Sequence, residues 1–366
     1  MWIHQQSNWT NFTWQTSILN QLAELRHHQG RLLGRMDALG FAFRQETALM
    51  TITNDVLKSS AIEGEVLDPD AVRSSVARRL GIEITGAVKV NREVEGVVEM
   101  MLDATQQCFQ PLTKERLCGW QAALFPTGHS GMYRITVGDW RTLLAGPMQV
   151  VSGALGREKV HFEAPTADRI EFEMSQFLQW FEQDNQLDPV LKAGIAHLWF
   201  ITIHPFEDGN GRIARAITDM ALARADGSVS RFYSLSTQIE AEKKAYYVQL
   251  EAQQRHTSDI TEWLSWFLGC LGRAILHSST VLDRVLSKAK LWDRVNQYAI
   301  NDRQRLIINR MLEEDFVGKM NTSKYAKLAK CSTDTALRDV QSLVQKSILI
   351  QSSSGGRSTS YQLVAP

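Results

Sequence analysis

The run His204-Pro205-Phe206-Glu207-Asp208-Gly209-Asn210-Gly211-Arg212-Ile213-Ala214-Arg215 gathers more reactive residue types than any other stretch of the chain. Its imidazole can exchange a proton near neutral pH. Its adjacent carboxylates can hold a divalent cation. Its two arginines, three positions apart, offer forked donors suited to phosphate oxygens. The run follows the apolar segment Leu198–Ile203 and precedes the patterned segment Ala216–Leu222. A short polar loop between two apolar elements is where a rigid scaffold presents reactive groups.

Two readings compete for Gly209-Asn210-Gly211. Gly209, Gly211 and Ala214 match GxGxxA after an apolar run, as in a dinucleotide-binding turn. That match fits poorly. The preceding segment opens with Asp188-Pro189, and its apolar spacing is that of a helix rather than a strand. Glu207 and Asp208 would also face a pyrophosphate with no compensating ion. In the second reading the glycines open a helix, whose free backbone N–H groups make an anion site. Arg212 and Arg215 lie on its first turns. Acids beside phosphates make sense if Mg²⁺ bridges them, since Mg²⁺ commonly takes one or two carboxylates plus substrate phosphates. His204 then serves as a general base. The set fits phosphoryl or nucleotidyl transfer from a triphosphate to a hydroxyl. GxxxxGK[ST] is absent from the sequence, so a P-loop is excluded as the source of the phosphate site.

Composition narrows the setting. A chain of 366 residues has room for two or three domains. Its hydrophobic share of 44% and charged share of 22% are those of an ordinary soluble protein. Lys+Arg and Asp+Glu both number 40, so a nucleic-acid or membrane partner must use a local patch. Cys108, Cys118, Cys270 and Cys331 are scattered, which predicts reduced thiols rather than a disulfide frame or zinc site. Met1–Gln6 lacks the pattern of a secretory leader. Apolar runs stay below the roughly 18 residues that cross a bilayer. The expected location is the cytoplasm, with no membrane partner.

The elements around the loop read as helices. Ile18, Leu22, Leu25, Leu32, Leu33 and Met36 recur at helical spacing, and Phe41, Leu49, Ile52, Val56 and Leu57 do so after Gly40. The second run ends at Glu63-Gly64, where Gly64 suits a left-handed cap. Asp68-Pro69-Asp70 opens another helix. Ser59 and Glu63 share a face at i,i+4. The plain reading is a solvated helix end. Yet the helix dipole opposes an acid there, unless a cation waits nearby. Helical spacing continues over 90–125, a turn-rich stretch follows, and Met148–Val151 with Lys159–Phe162 reads as a hairpin joined by Gly153–Arg157. That hairpin is a surface flap or an edge for an extended peptide. Asp168–Phe181 and Pro189–Ile203 are helices, the latter apolar all round and so central. Further helices run to about Arg224, over Ile239–Leu250 and over Ile260–His277, with a helical bridge at 280–300. Tyr246 and Tyr247 are core or rim residues, or a stacking surface for a flat ring.

The C-terminal stretch reads as Leu306–Phe316, Thr322–Ala329 and Thr333–Lys346 helices, then strands at Ile348–Ile350 and Tyr361–Val364 around the glycine-rich turn Ser352–Arg357. That is the order of a winged helix-turn-helix. Residues 301–366 hold ten Lys/Arg against six Asp/Glu, net +4, which is only mildly basic. The third helix carries Arg338 and Lys346 but also Asp334 and Asp339, leaving DNA binding and protein docking both open. The expected fold class is mainly α. The expected domains are an N-terminal helical region over 1–85, a catalytic core over 86–280, and a bridging helix with winged helix over 281–366.

His204–Arg215 resembles the signature HPFx[D/E]GNGRxxR of the Fic (filamentation induced by cAMP) family, with every fixed position filled. The resemblance extends over residues 90–275, including the hairpin, which is similar to the family's target-docking flap. Ser59-Ser60-Ala61-Ile62-Glu63-Gly64 resembles the family's inhibitory motif [S/T]xxxE[G/N]. The N-terminal helices and C-terminal winged helix resemble bacterial adenylyltransferase members. The resemblance implies an enzyme moving AMP from ATP to a Tyr, Ser or Thr hydroxyl of a target protein or of itself. His204 would deprotonate that hydroxyl, Phe206 anchor the loop, and Asp208, next to Glu207, hold Mg²⁺. Gly209, Asn210 and Gly211 would cradle the α- and β-phosphates. Arg212 would contact the β-phosphate, and Arg215 the γ-phosphate or Glu63. Tyr246 and Tyr247 would line the adenine pocket. The family's asparagine beyond them is Gln254 here, which departs from the pattern. The inhibitory reading makes Glu63 and the γ-phosphate rivals for Arg215, with Ser59 holding the Glu63 carboxylate.

Alternatives within this resemblance are removal of AMP through a water positioned by Glu63, and transfer of another group such as UMP or phosphocholine. From a different class, the winged helix is the main function, as a DNA-binding regulator. The N-terminal tryptophans Trp2, Trp9 and Trp14 and the winged helix both offer surfaces for a homodimer.

Overall fold

The apolar spacing of the N-terminal stretch produces two long helices in the computed structural model, α1 (Ile18–Asp37) and α2 (Phe41–Ile62). The structure describes residues 1–366 apart from 8, 144, 145, 154–156, 158, 184, 185, 256, 314, 315, 317, 353–358, 365 and 366. Residues 154–156 of the expected hairpin connection and 353–357 of the glycine-rich turn therefore lie outside the described residues. The fold is mainly α, and it divides into two compact units, Met1–Ser278 and Ser279–Pro366. The first 85 residues belong to the same unit as the stretch that follows them.

In the first unit, α3 (Pro69–Leu80) starts on the Asp68 cap and Pro69, as the sequence predicts. The helical spacing expected over 90–125 forms two helices, α4 (Arg92–Gln106) and α5 (Lys114–Leu124), each with its own polar cap, Asn91 and Thr113. Short strands β1 (His129–Ser130) and β2 (Tyr133–Arg134) follow. The expected hairpin forms from β3 (Gln149–Ser152) and β4 (Lys159–Glu163), antiparallel, with Val150 opposite Phe162 and Val151 opposite Val160. One residue, His161, is extra on β4 at that point. Such a bulge re-aims its side chain. α6 (Ile170–Glu182) precedes α7 (Pro189–Ile203), whose residues are buried almost all round, as its composition requires. α8 (Asn210–Asp226) packs along α7 and is itself buried over most of its length. α9 (Leu235–Ala241) and α10 (Lys243–Gln254) follow. The two helices expected at Ile260–His277 and 280–300 are one continuous helix, α11 (Thr261–Val295); it contains no proline, and the cap-type residues Ser278, Ser279 and Thr280 do not break it.

The N-terminal segment is not the open aromatic surface its sequence suggests. Trp9 is buried, with Phe12 and Trp199 rings at 6.2 and 6.0 Å, and Trp2 and Trp14 are half-buried. Thr13 pairs with the backbone of Ser258 and Ile260. The aromatic spacing marks a strap over the core.

The second unit has its own core, with Leu291, Val295, Ile308, Tyr325, Val340 and Leu343 among its buried residues. α12 (Asp302–Met311), α13 (Thr322–Leu328) and α14 (Thr333–Gln345) are followed by β5 (Leu349–Gln351) and β6 (Tyr361–Leu363), which pair antiparallel. Asp339 does not face outward on α14. It accepts from Arg303 Nε and Asn301 Nδ2, both at 2.9 Å, and from Tyr325 Oη at 3.2 Å. Among the described residues, no helix is long and apolar enough to cross a membrane.

Candidate functional site

α7 ends because His204 adopts a left-handed conformation, φ 53 and ψ 59. A side chain other than glycine pays about 1–2 kcal/mol for that backbone. Arg141 holds it there. Its Nε donates to the His204 carbonyl at 2.8 Å, its Nη2 to the Pro165 carbonyl at 2.5 Å, and its backbone N–H to the Pro205 carbonyl at 2.9 Å. Phe206 then plugs the loop into the core, fully buried, with the Trp140 ring 4.9 Å away. Asn210 closes the loop on itself. Its Oδ1 accepts from the Phe206 N–H at 3.0 Å and its Nδ2 donates to the Phe206 carbonyl at 2.8 Å. Gly209 has φ 91, and a Cβ there would meet the Phe125 and Leu124 side chains at 3.0 and 3.1 Å. Both conformation and space demand glycine.

His204 Nδ1 lies 3.2 Å from the Ile201 carbonyl, so Nδ1 carries the proton and Nε2 is the basic nitrogen. Burial pushes the imidazole down to about 4, against a smaller opposing pull from the Ile201 carbonyl and from Glu63 and Asp208. It is neutral at pH 7. Ser130 Oγ donates to Asp208 Oδ2, and the Gly209 N–H donates to Oδ1 at 2.6 Å. Glu207 is occupied differently: Thr136 donates to it from Oγ1 at 2.6 Å and from its N–H at 3.2 Å. Two acids adjacent in sequence thus have separate partners.

The first turn of α8 faces the end of α2. Glu63 Oε1 accepts from Arg215 Nη2 at 2.8 Å. The same oxygen would stand 2.1 Å from a Cβ on Gly211, so the carboxylate lies directly against the start of α8. The acid that the dipole of α2 disfavours is thereby placed on the positive end of α8. Arg215 Nε donates to Ser59 Oγ at 2.8 Å and Nη2 to the Ser59 carbonyl at 2.9 Å. Ser59 therefore holds the arginine, not the Glu63 carboxylate as the sequence suggests, because the guanidinium lies across the helix end. Arg212 Nη1 donates to Glu65 at 2.6 Å, and its guanidinium stacks 5.1 Å from the Phe125 ring. Burial raises the Glu65 carboxyl above its usual range, opposed by Arg212 and reinforced by Asp208, Glu63 and Glu93.

A cavity of about 590 Å³ adjoins this end of α8, with His204, Asp208, Gly211 and Glu63 on its wall. α10 supplies Tyr246, Tyr247 and Gln254 to the same cavity. Tyr246 is buried and lies 2.8 Å from His197 Nε2, while His197 Nδ1 meets Thr218 Oγ1 at 2.8 Å. Thr218 Oγ1 donates to the Ala214 carbonyl at 2.7 Å, so His197 Nδ1 donates to Thr218 and Tyr246 donates to Nε2. Burial holds His197 down to about 3. Tyr247 is at the rim, and its hydroxyl donates to the Ile62 carbonyl at 3.2 Å, tying α10 to the end of α2. Gln254 Nε2 comes within 3.5 Å of Thr202 Oγ1. The hairpin forms the opposite wall. His161, on its bulge, contacts Glu251 of α10 at 2.6 Å through Nδ1 and Ser152 at 2.5 Å through Nε2. Phe162 is buried beside Trp2 and His4 rings at 5.4 and 5.9 Å.

The structure thus brings Ser59, Glu63 and Gly64 together with His204–Arg215, Tyr246 and Tyr247. The Asn210 side chain closes the loop on Phe206, and Asn210 also lines the cavity. Sequence reasoning missed Glu65, Arg141, Ser130, Thr136, His197 and the His161–Glu251 clip. Only Glu65 had a local signal, its place two residues past Glu63. Among the described residues, no cluster of three or more His, Cys, Asp or Glu side chains could hold a metal on its own. Asp208 as a single carboxylate fits a Mg²⁺ that takes its other ligands from phosphates and water.

Parts of the chain are similar to known proteins. Residues 2–82 match a domain of unknown function (DUF4172), and residues 111–222 match the Fic/DOC family. The chain is 28% identical over 96 residues to Protein adenylyltransferase fic-1 of Caenorhabditis elegans, 26% of this chain and 18% of that protein. It is 30% identical over 124 residues to Protein adenylyltransferase Fic of Nematostella vectensis, 32% of this chain and 27% of that protein. The matched stretches span less than a third of these relatives. The crystal structure of a Fic family protein from Desulfovibrio desulfuricans G20 superposes with a TM-score of 0.55 at 21% identity, covering 96% of this chain and 97% of that one. A Fic domain containing signaling protein from Bacteroides thetaiotaomicron gives 0.52 at 21% identity, covering 70% and 95%. These two likenesses show the fold.

Proposed function

We propose that this chain is a protein adenylyltransferase, moving AMP from ATP to a Tyr, Ser or Thr hydroxyl of a target protein or of itself, and restrained by Glu63. The observation that carries the reading is the placement of a neutral His204, basic at Nε2, on the same cavity as Asn210 and Gly211 at the start of α8, with Arg212 and Arg215 buried on the next positions of that helix. The adenylyltransferase names of the matched relatives support it.

The chemistry balances with these groups. The target hydroxyl gives its proton to His204 Nε2. Its oxygen forms a bond to the α-phosphorus of ATP while the bond from that phosphorus to the α,β-bridging oxygen breaks. Pyrophosphate leaves. Gly211 and the backbone N–H groups at the start of α8 receive the phosphates, and Arg212 and Arg215 balance their charge. Asp208 would hold a Mg²⁺, which would supply charge neutralisation along the triphosphate. Tyr246 and Tyr247 line the side where the base would sit.

Glu63 restrains this by taking Arg215 and crowding Gly211. With those places filled, the γ-phosphate sits elsewhere and the α-phosphorus leaves the line of attack. A displacement of 1 Å costs on the order of 10²-fold in rate. Transfer of label from α-labelled ATP in Mg²⁺ tests the reading. Glu63→Gly raises incorporation and His204→Ala abolishes it. An unchanged Glu63→Gly sinks the inhibitory role, and a fully active His204→Ala sinks the base.

A further inference from the structure

The end of α2 displays two acids. The Glu65 N–H donates to the Ser60 carbonyl and the Gly64 N–H to the Ala61 carbonyl, at 3.0 and 3.1 Å. Gly64, at φ 88, turns the backbone between them. This is the Schellman closure. It sets Glu63 and Glu65 on either side of one glycine and aims both at α8. Glu63 meets Arg215, and Glu65 meets Arg212 at 2.6 Å. Arg212 and Arg215 are i,i+3 on α8, hence neighbours on one face, and they are only 3% and 1% exposed. Arg212 Nε reaches no hydrogen-bond acceptor among the described residues. A buried guanidinium needs a counterion. For Arg212 that counterion is Glu65.

We propose that Glu65 is a second determinant of nucleotide access, holding Arg212 as Glu63 holds Arg215, so that the two acids stand where two successive phosphate groups of the nucleotide go. The inference rests on reading the start of α8 as the polyphosphate site, and it extends the restraint from one ion pair to two. A ligand must displace both carboxylates to engage both arginines. Each further phosphate therefore meets one more competitor. Adenosine meets neither. Removing Glu63 alone leaves Arg212 engaged, so the site is only half released.

Calorimetric titration of the full chain with ATP, ADP, AMP and adenosine tests this, using wild type, Glu63→Gly, Glu65→Gln and the double variant. Glu65→Gln is expected to tighten ATP and ADP by about ten-fold, the worth of one charge-assisted hydrogen bond, and to leave adenosine unchanged. The double variant binds ATP more tightly than either single one. Glu93→Gln is the control for general charge relief, since Glu93 lies near Glu65 and has no ion pair with Arg212 among the described residues. Equal tightening by Glu93→Gln overturns the proposal. So does wild-type ATP affinity in Glu65→Gln beside a tighter Glu63→Gly, which leaves the phosphate site itself standing. Binding that ignores phosphate number in every variant overturns the phosphate site and this proposal together. Glu65→Ala, with a thermal melt matching wild type, guards against misfolding as the cause of any change.

Discussion

Arg141 Nε donates to the His204 carbonyl at 2.8 Å, so the residue proposed as the base is held in its left-handed conformation by a side chain more than sixty positions upstream. Arg141 is 3% exposed, and burial lowers its guanidinium to about 10, still charged at neutral pH. Arg141→Ala leaves the His204 and Pro165 carbonyls without their donor, a loss of about 2 kcal/mol in stability. Because the contact positions the base rather than the nucleotide, kcat for transfer falls by about 10²-fold while KM for ATP changes by less than about two-fold. Arg141→Lys, which cannot present a fork, recovers only part of kcat. A parallel loss of ATP affinity contradicts the positioning role.

With His204 as the proposed base, the acid limb of the proposed transfer reaction follows its imidazole. Its pKa is lowered to about 4 by burial, so the neutral form dominates above that value and is lost below it. Activity therefore holds level from pH 8 to 6 and falls only as the pH approaches about 4. A fall centred near 6.5 instead marks a solvated imidazole. Glu63 raises the imidazole slightly, so Glu63→Gly moves the limb lower. Rates with α-labelled ATP across pH, on a chain shown folded by circular dichroism, check the position.

Asn210→Ala opens the ring that the side chain closes on Phe206. Two hydrogen bonds to buried backbone groups are lost. The expected cost is about 2–3 kcal/mol, seen as a fall in Tm of about 5 °C or more. A melt unchanged from wild type shows that the loop keeps its shape by packing of Phe206 alone.

His161→Ala loosens β4 from α10 by removing the contact to Glu251, leaving Lys159 near Glu251 and Arg255 on the Val160 and His161 carbonyls. The Glu251 carboxylate, held low mainly by His161, returns toward its ordinary range. If the hairpin docks the target, KM for the protein substrate rises several-fold while ATP affinity stays within about two-fold. Loss of ATP affinity to the same degree assigns His161 to the nucleotide.

Much of the site was legible because it is local. His204–Arg215 lies within twelve residues, and helix geometry alone brings the arginines together with the glycines. Gly64 and Glu63 were legible for the same reason, since a cap and a misplaced acid are both visible in a short window. Arg141, Ser130 and Thr136 were not. Each acts on the loop from more than sixty positions away, and each looks in sequence like an ordinary loop residue. Asp339 was misjudged because a charge on an amphipathic helix reads as surface until the partners that bury it, Arg303, Asn301 and Tyr325, are seen. Trp9 was misjudged in the opposite sense: polar neighbours made a buried strap look like an exposed face. The helix expected to break near residue 278 runs on to Val295, since periodicity marks faces well and ends poorly.

Tyr247 joins the rim of the cavity to the carbonyl of Ile62, the last residue of α2. On the proposed function, a flat ring settling against that tyrosine is coupled to the very next residue, Glu63. Whatever free energy the ring's arrival adds to or takes from the Tyr247–Ile62 contact is returned in equal measure to the grip of Glu63 on Arg215, by thermodynamic linkage. On that proposal the ring and the phosphates of one nucleotide act on the same contact from two directions, one through α10 and one through α8.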